Sequence, residues 1–218
     1  MTADPDSQDL PHLAAILEHA RRAGFVGPRP VVEQIDHASA LAAVLEAHGS
    51  GPAPFLDLGS GGGLPGLILA ARWPEHPATL LDASARRTAF LRRTVVALGW
   101  EQRVEVAEGR AEVLGKDPAL RGRFPLVVAR SFARPAVTAE IGGAFVQVGG
   151  VLAVSEPDDA PEGAAGGRWP AEALEMLGFA PATMHSGAGA RVAILFRMSP
   201  LDARWPRAVG VPTKRPLW

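Results

Sequence analysis

The sequence predicts an α/β fold: a doubly wound, mostly parallel sheet of seven strands, preceded by an N-terminal helical extension. Three observations carry this expectation. From Pro54 onward, short apolar runs alternate with segments of helical period, as parallel strands covered on both faces do. A glycine-rich loop follows the first of those runs. The last two runs lie close enough in the chain to pair as a hairpin through a turn at 186–189.

Each element has its own local reason. Leu10, Leu13, Leu17 and Ala20 share one helical face, and Val31, Ile35, Ala38, Ala42 and Leu45 share another; Gly24 and Gly49 stop these two helices. Strands are expected over 55–58, 79–81, 104–106, 126–129 and 151–154, and helices over 65–72, 85–98, 111–114 and 135–145. The stretch 155–168 is rich in Pro, Gly, Ala and acids without periodicity, which predicts an exposed loop. Pro170 then opens a helix that Gly178 closes, and 182–184 with 192–196 supply the hairpin strands. The organisation is a helical extension over 1–50, a core over 51–198 and a basic tail over 199–218, packed on the core.

Composition narrows the chemistry. The 218 residues contain no cysteine, which excludes disulfides, thiolate metal sites and covalent cysteine catalysis. Six histidines, at 12, 19, 37, 48, 76 and 185, lack ligand spacing, so no metal is expected. No apolar run approaches the ~20 residues of a membrane span, and residues 1–9 do not read as a secretory signal, so a soluble, cytoplasmic chain is expected. The net charge of -1 is unevenly spread. Residues 1–48 carry seven acids against three arginines, whereas Arg197, Arg204, Arg207, Lys214 and Arg215 face Asp202 alone near the C-terminus. Such a tail can bind phosphate although the whole chain is near neutral.

The loop Asp57-Leu58-Gly59-Ser60-Gly61-Gly62-Gly63-Leu64-Pro65-Gly66 is the strongest motif. Glycines at a strand-to-helix turn let a ligand approach the backbone and tolerate positive φ. Asp57 would face the amino group of a methionine moiety or orient the loop. Asp82, after the second strand, would accept the hydroxyl protons of a ribose or cap the following helix. Gly61-x-Gly63-x-x-Gly66 also satisfies the dinucleotide fingerprint, so a nicotinamide cofactor competes with S-adenosylmethionine. The acid two residues before the first glycine and the terminal hairpin tilt the choice to S-adenosylmethionine.

The same loop resembles that of the bacterial RsmG (GidB) family, whose members methylate guanine N7 in 16S ribosomal RNA. Three more segments share the resemblance: Leu80-Leu81-Asp82-Ala83-Ser84-Ala85-Arg86-Arg87 with Phe90-Leu91-Arg92; Val128-Ala129-Arg130-Ser131-Phe132-Ala133; and Arg204-Trp205-Pro206-Arg207 with Gly210-Val211-Pro212-Thr213-Lys214-Arg215-Pro216-Leu217. The resemblance implies the seven-stranded class I methyltransferase fold. It further implies that Gly59 and Leu64 line the cofactor pocket, that Ala111 and Glu112 flank the adenine, and that Arg130 completes the site. Read from position alone, Glu112 could equally be a helix-start charge; Arg130 could be a surface ion-pair residue, but directly after the strand over 126–129 it stands at the carboxyl edge where open α/β sheets bind ligands, which favours a site role.

Departures from the family fall where the substrate would approach. Gly27-Pro28-Arg29 stands in place of Asn-Leu-Thr, and His37-Ala38-Ser39-Ala40-Leu41 in place of His-x-x-Asp-Ser. Ser155-Glu156 replaces a Lys-Gly pair, an anion for a cation.

Guanine N7 is already nucleophilic, so its methylation needs alignment rather than a covalent intermediate, consistent with a chain lacking cysteine. Arg130 or Phe132 could hold the base, and Phe132 could instead be core. In the tail, Arg204, Arg207, Lys214 and Arg215 are candidate RNA contacts, with Trp205 and Trp218 for stacking and prolines keeping the segment extended. Competing readings are a methyltransferase for another small-molecule, protein or RNA substrate, an NAD-dependent oxidoreductase, and an RNA-binding module without catalysis.

Overall fold

The structure, a computed structural model, describes residues 6–157 and 165–218, with the side chains of 6–10 (Leu10 among them), 165 and 166 outside the description. Helices α1 (Asp6–Arg22) and α2 (Val31–His48) come first. Leu13, Leu17 and Ala20 of α1 are fully buried, as are Ala38, Ala42 and Leu45 of α2, so the apolar stripe of each helix is its packing face. Gly49 ends α2 at φ 80°, a left-handed cap that side-chain-bearing residues rarely adopt.

Then follow β1 (Phe55–Leu58), α3 (Gly66–Arg72), β2 (Ala78–Asp82), α4 (Ala85–Ala97), β3 (Val104–Glu108), α5 (Ala111–Leu114), β4 (Phe124–Ala129), α6 (Pro135–Gly142) and β5 (Val146–Glu156). The chain continues through α7 (Ala165–Arg168), α8 (Ala171–Met176), β6 (Thr183–Gly187), β7 (Ala190–Phe196) and α9 (Val211–Lys214). The seven strands form one sheet in the order β3-β2-β1-β4-β5-β7-β6, parallel except for β7, which runs antiparallel to β5 and β6. Every residue of β1 and β2 is buried, which is why those strands read as unbroken apolar runs around an acid. Two cores result. One packs α1, α2, α3 and α4 against one face; the other takes Val137 and Ile141 of α6, Leu174 of α8 and Trp205 of the tail on the other.

Sequence and structure differ at several ends. β5 starts at Val146 and runs through Ser155 and Glu156, expected as loop, because these two residues pair with Val192 and Arg191 of β7. Residues 158–164 of that expected loop lie outside the described part, and its end forms α7. α6 ends at Gly142 rather than at 145, where the chain turns into β5. The hairpin turn is only Ala188-Gly189, both at positive φ, the twist that matches two antiparallel strands. The tail is not wholly extended: Pro212 sits in the first turn of α9, where its missing N–H has no helical acceptor to lose.

One buried cation ties helix ends to the sheet. Arg197, just past β7 and 1% exposed, donates to the carbonyls of Leu177 and Gly143, the C-caps of α8 and α6. Its guanidinium lies 4.0 Å from the centre of the Phe179 ring. Burial and the charge of Arg121 push its pKa down to about 10, yet it stays protonated at neutral pH and satisfies two helix-end carbonyls with one planar fork. Arg197→Ala should destabilise the protein by about 2–4 kcal/mol, since both carbonyls and a cavity are left behind. Arg197→Lys should recover only part, because one ammonium does not span both acceptors. Urea midpoints of the three proteins measure this, and an unchanged midpoint in the alanine variant would remove the role.

Candidate active site

The strand order reverses between β1 and β4, and ligands of open α/β sheets bind at the carboxyl edge there. Asp57 stands on β1, Asp82 ends β2, Arg130 follows β4, and Ser155 and Glu156 end β5. Two cavities open along this edge. The smaller, about 260 Å³, is lined among others by Gly59, Asp82, Arg87, Ala111, Glu112 and Thr213. The larger, about 660 Å³, is lined among others by Arg29, Gln34, His37, Arg130, Glu156 and Arg168. Ser131, Phe132 and Ala133 line both.

The glycine loop is held by two carboxylates. Asp57 is buried, and its Oδ2 accepts the Ser60 hydroxyl at 2.5 Å and the Gly66 N–H at 2.9 Å. A Cβ at Gly66 would lie 2.5 Å from that oxygen, so the bond requires glycine. Oδ1 of Asp57 is buried without a partner among the described residues. Asp57 lines neither cavity; of the two expected roles, loop orientation is the one its contacts show. Asp82 accepts the Gly61 N–H at 2.9 Å on Oδ2 and the Ser84 N–H at 2.8 Å on Oδ1, just before α4. It therefore steadies the start of α4 while presenting itself to the smaller cavity.

Gly59 has φ 74°, and a Cβ there would lie 2.6 Å from Phe132. This closeness lets the Phe132 ring sit over the loop at the junction of the cavities. Leu64 is only 8% exposed, belongs to the core and is not among the residues lining either cavity.

Ala111 and Glu112 do line the smaller cavity. Burial opposes the Glu112 charge, but hydrogen bonds from Arg110 and from the Gly210 N–H hold its carboxyl below the ordinary range. Arg130 lies in the larger cavity with Nη2 3.4 Å from Gln34 Oε1 and Nη1 buried without a partner among the described residues. Burial, then the nearby Arg29 charge, lowers its pKa, and Asp57 opposes them.

The tail differs most from expectation. Arg207 is an anchor: it makes a forked pair with the buried Glu140 of α6, as close as 2.6 Å. Arg204 pairs with Asp202 at 3.7 Å and lies over the Trp205 ring. Trp205 is 5% exposed and packs in the core, so it offers no face for base stacking. Trp218 is half-buried and donates to the Arg168 carbonyl at 2.9 Å. Lys214 and Arg215 remain exposed. Thr213 on the cavity wall and Glu140 under Arg207 were not singled out from the sequence, because their partners are 67 or more residues away. Among the described residues no group of His, Asp or Glu could hold a metal ion, and no helix is long and apolar enough to cross a membrane.

A family model described as rRNA small subunit methyltransferase G matches residues 11–159. The chain is 32% identical over 171 residues to the ribosomal RNA small subunit methyltransferase G of Roseiflexus castenholzii, covering 78% of this chain and 73% of that one. It is 36% identical over 174 residues to the protein of that name from Deinococcus radiodurans, covering 78% and 68%. Among solved structures, cofactor-bound Rv0187 from MTB superposes with a TM-score of 0.54 at 21% identity, covering 87% of this chain and 91% of that one. A precorrin-6y C5,15-methyltransferase from Geobacter metallireducens gives 0.51 at 12%, covering 73% and 87%. These structural likenesses show the fold, that of class I S-adenosylmethionine-dependent methyltransferases. The sequence matches go further, and by them the chain belongs to the rRNA small subunit methyltransferase G family.

Proposed function

We propose that the chain transfers a methyl group from S-adenosylmethionine to guanine N7 of 16S ribosomal RNA, with the adenosine end of the cofactor in the smaller cavity. The observation that carries this is the meeting of two cavities at Ser131–Ala133, one of them bearing a strand-end carboxylate and a glycine loop. The residues fit the cofactor. Asp82 offers a carboxylate to the ribose hydroxyls, Ala111 and Glu112 border the adenine, and Gly59 gives room beside the loop, while Gly61 lines neither cavity and serves through its N–H to Asp82. The unpartnered Arg130 Nη1 suits the methionine carboxylate.

When bound, S-adenosylmethionine supplies an electrophilic methyl group. The protein's part is to align N7 with it and exclude water, since N7 needs neither a base nor a covalent bond to the enzyme. The departure at Ser155-Glu156 is compatible with an RNA substrate because the Glu156 charge is taken up by Arg168 at 2.5 Å. Ser155 is paired with His37 at 2.9 Å.

Calorimetry should show binding of S-adenosylmethionine and its demethylated product, and none of NAD. Gly61→Arg should abolish binding by displacing the loop, because Gly61 has φ 59° and a Cβ there would lie 3.2 Å from the Phe25 carbonyl oxygen, and Asp82→Ala should weaken it by about 1–3 kcal/mol, leaving the Gly61 and Ser84 N–H groups unpaired. Tight NAD binding would overturn the cofactor assignment.

The methylated atom is read by chemistry. Borohydride reduction followed by aniline should cut treated 16S RNA at one guanine. Label entering RNA without scission would place the methyl on another atom, and label only in protein or a metabolite would identify another substrate.

Asp57 should set a pH dependence. Burial, more than its repulsion by Asp82, pushes its carboxyl up to about 6 from 3.8, against the hydrogen bonds of Ser60 and Gly66. A raised folded-state pKa favours the folded protein fully below about 4, and this contribution is lost as the pH rises through about 6. It corresponds to on the order of 3 kcal/mol. The stability of the wild type relative to Asp57→Asn should therefore fall between pH 4 and 7 in urea titrations; a constant difference would show that Asp57 titrates normally.

A further inference from the structure

The larger cavity has chemistry of its own. Methyl transfer requires donor and acceptor in contact, and the two cavities share only Ser131, Phe132 and Ala133 among the described residues. With the cofactor's adenosine in the smaller one, the acceptor occupies the larger. About 660 Å³ admits a single nucleotide rather than a duplex, so the base arrives out of its stack. Among the described residues, three arginines, Arg29, Arg130 and Arg168, line this space against one carboxylate, Glu156. That balance suits an anion.

The arginines are not equivalent. Arg130 stands beside the junction and is assigned above to the cofactor. Arg168 is held rigidly: its Nε donates to Glu156 Oε2, Trp169 Nε1 donates to Oε1 at 3.1 Å, and Trp218 holds the Arg168 carbonyl. The Glu156 side chain is 1% exposed, whereas that of Arg168 is 37% exposed. Among the described residues only Nε meets the carboxylate, which leaves both Nη groups as a donor pair. Arg29 is exposed on the α1–α2 connection, but its backbone is fixed, since the buried Gln34 amide donates to the Gly27 and Arg29 carbonyls at 3.0 and 2.8 Å.

We propose that Arg29 and Arg168 clamp the phosphate of the target nucleotide at this cavity, with Glu156 as the positioning residue that fixes Arg168. The inference rests on the methyltransferase reading. A guanidinium pair matches phosphate oxygens in a way a neutral wall does not. The pair Ser155-Glu156 then adds no bare anion to the RNA side; it fixes a cation borne by the next helical turn.

The full chain saturated with S-adenosylhomocysteine is titrated with guanosine 5′-monophosphate and with guanosine. The wild type should bind the monophosphate at least about tenfold tighter, and Arg29→Ala/Arg168→Ala should lose that preference. The same double variant should bind S-adenosylmethionine normally but methylate 16S RNA with kcat/KM lowered about 10- to 100-fold. Its salt dependence should flatten by roughly 0.7 log units per lost contact. Arg29→Lys/Arg168→Lys should retain most of the activity, and Glu156→Gln should fall between wild type and the alanine variant. Three results overturn the clamp: equal binding or no binding of the two ligands by the wild type, unchanged methylation and salt slope in the double variant, or a parallel loss of cofactor affinity, which would move the arginines into the cofactor site. A wild type that methylates no RNA refutes the proposed function instead, while the nucleotide titration still tests the pocket.

Discussion

Two carboxylates from adjacent strands hold the glycine loop, and the rest of the site depends on them. β1 and β2 are parallel with Leu58 opposite Leu81, so the chain leaves both strands at one edge of the sheet. Asp57 grips the far end of the loop through Gly66, and Asp82 grips its near end through Gly61. The Gly66 contact leaves no room for a Cβ. Burying Asp57 costs stability at neutral pH, as its raised pKa shows. The structure tolerates that cost at the point where the loop must be rigid for a ligand to lie against its backbone.

The C-terminal segment follows the same logic with reversed roles. Here the buried carboxylates belong to helices α6 and α5, and the tail brings the donors. Arg207 grips Glu140 of α6, and the Gly210 N–H grips Glu112 at the head of α5. A buried ion pair is weak evidence of net stability, because desolvating two charges offsets much of their attraction. It does fix register, since losing either partner strands a charge. The register places Thr213 on the wall of the smaller cavity. Cations that look like an RNA-binding stripe in the sequence are thus partly consumed in seating the tail: Arg207 is tied to Glu140, while Arg204, Lys214 and Arg215 stay exposed.

What was legible in the sequence follows from the range of the interactions. Strands such as β1 and β2 are buried on both faces, so each had to be a short apolar run, and their positions could be read to within a residue or two. The glycine loop, Asp82 and Ala111–Glu112 were legible because a strand end, a turn and a helix start are local events. The burial of Leu64 was not legible, because a loop leucine's side chain answers to the core, which the loop motif does not encode. Ser155 and Glu156 read as loop because Glu156 looks solvated until Arg168, twelve residues on, is brought beside it. Thr213 and Glu140 were invisible for the same reason at longer range.

The departures around the larger cavity are best understood together. His37 and Ser155 are 118 residues apart and bond at 2.9 Å, so a residue of α2 and the end of β5 close one stretch of wall together. Next along β5, Glu156 is turned into the protein, where Arg168 and Trp169 satisfy both of its oxygens. A substitution that appears in sequence to replace a cation by an anion therefore changes the wall less than its formal charge suggests. Alone, the buried carboxylate would be expensive. Paired, it holds an arginine side chain as a fixed donor, and among the described residues the positive character of the cavity comes from Arg29, Arg130 and Arg168.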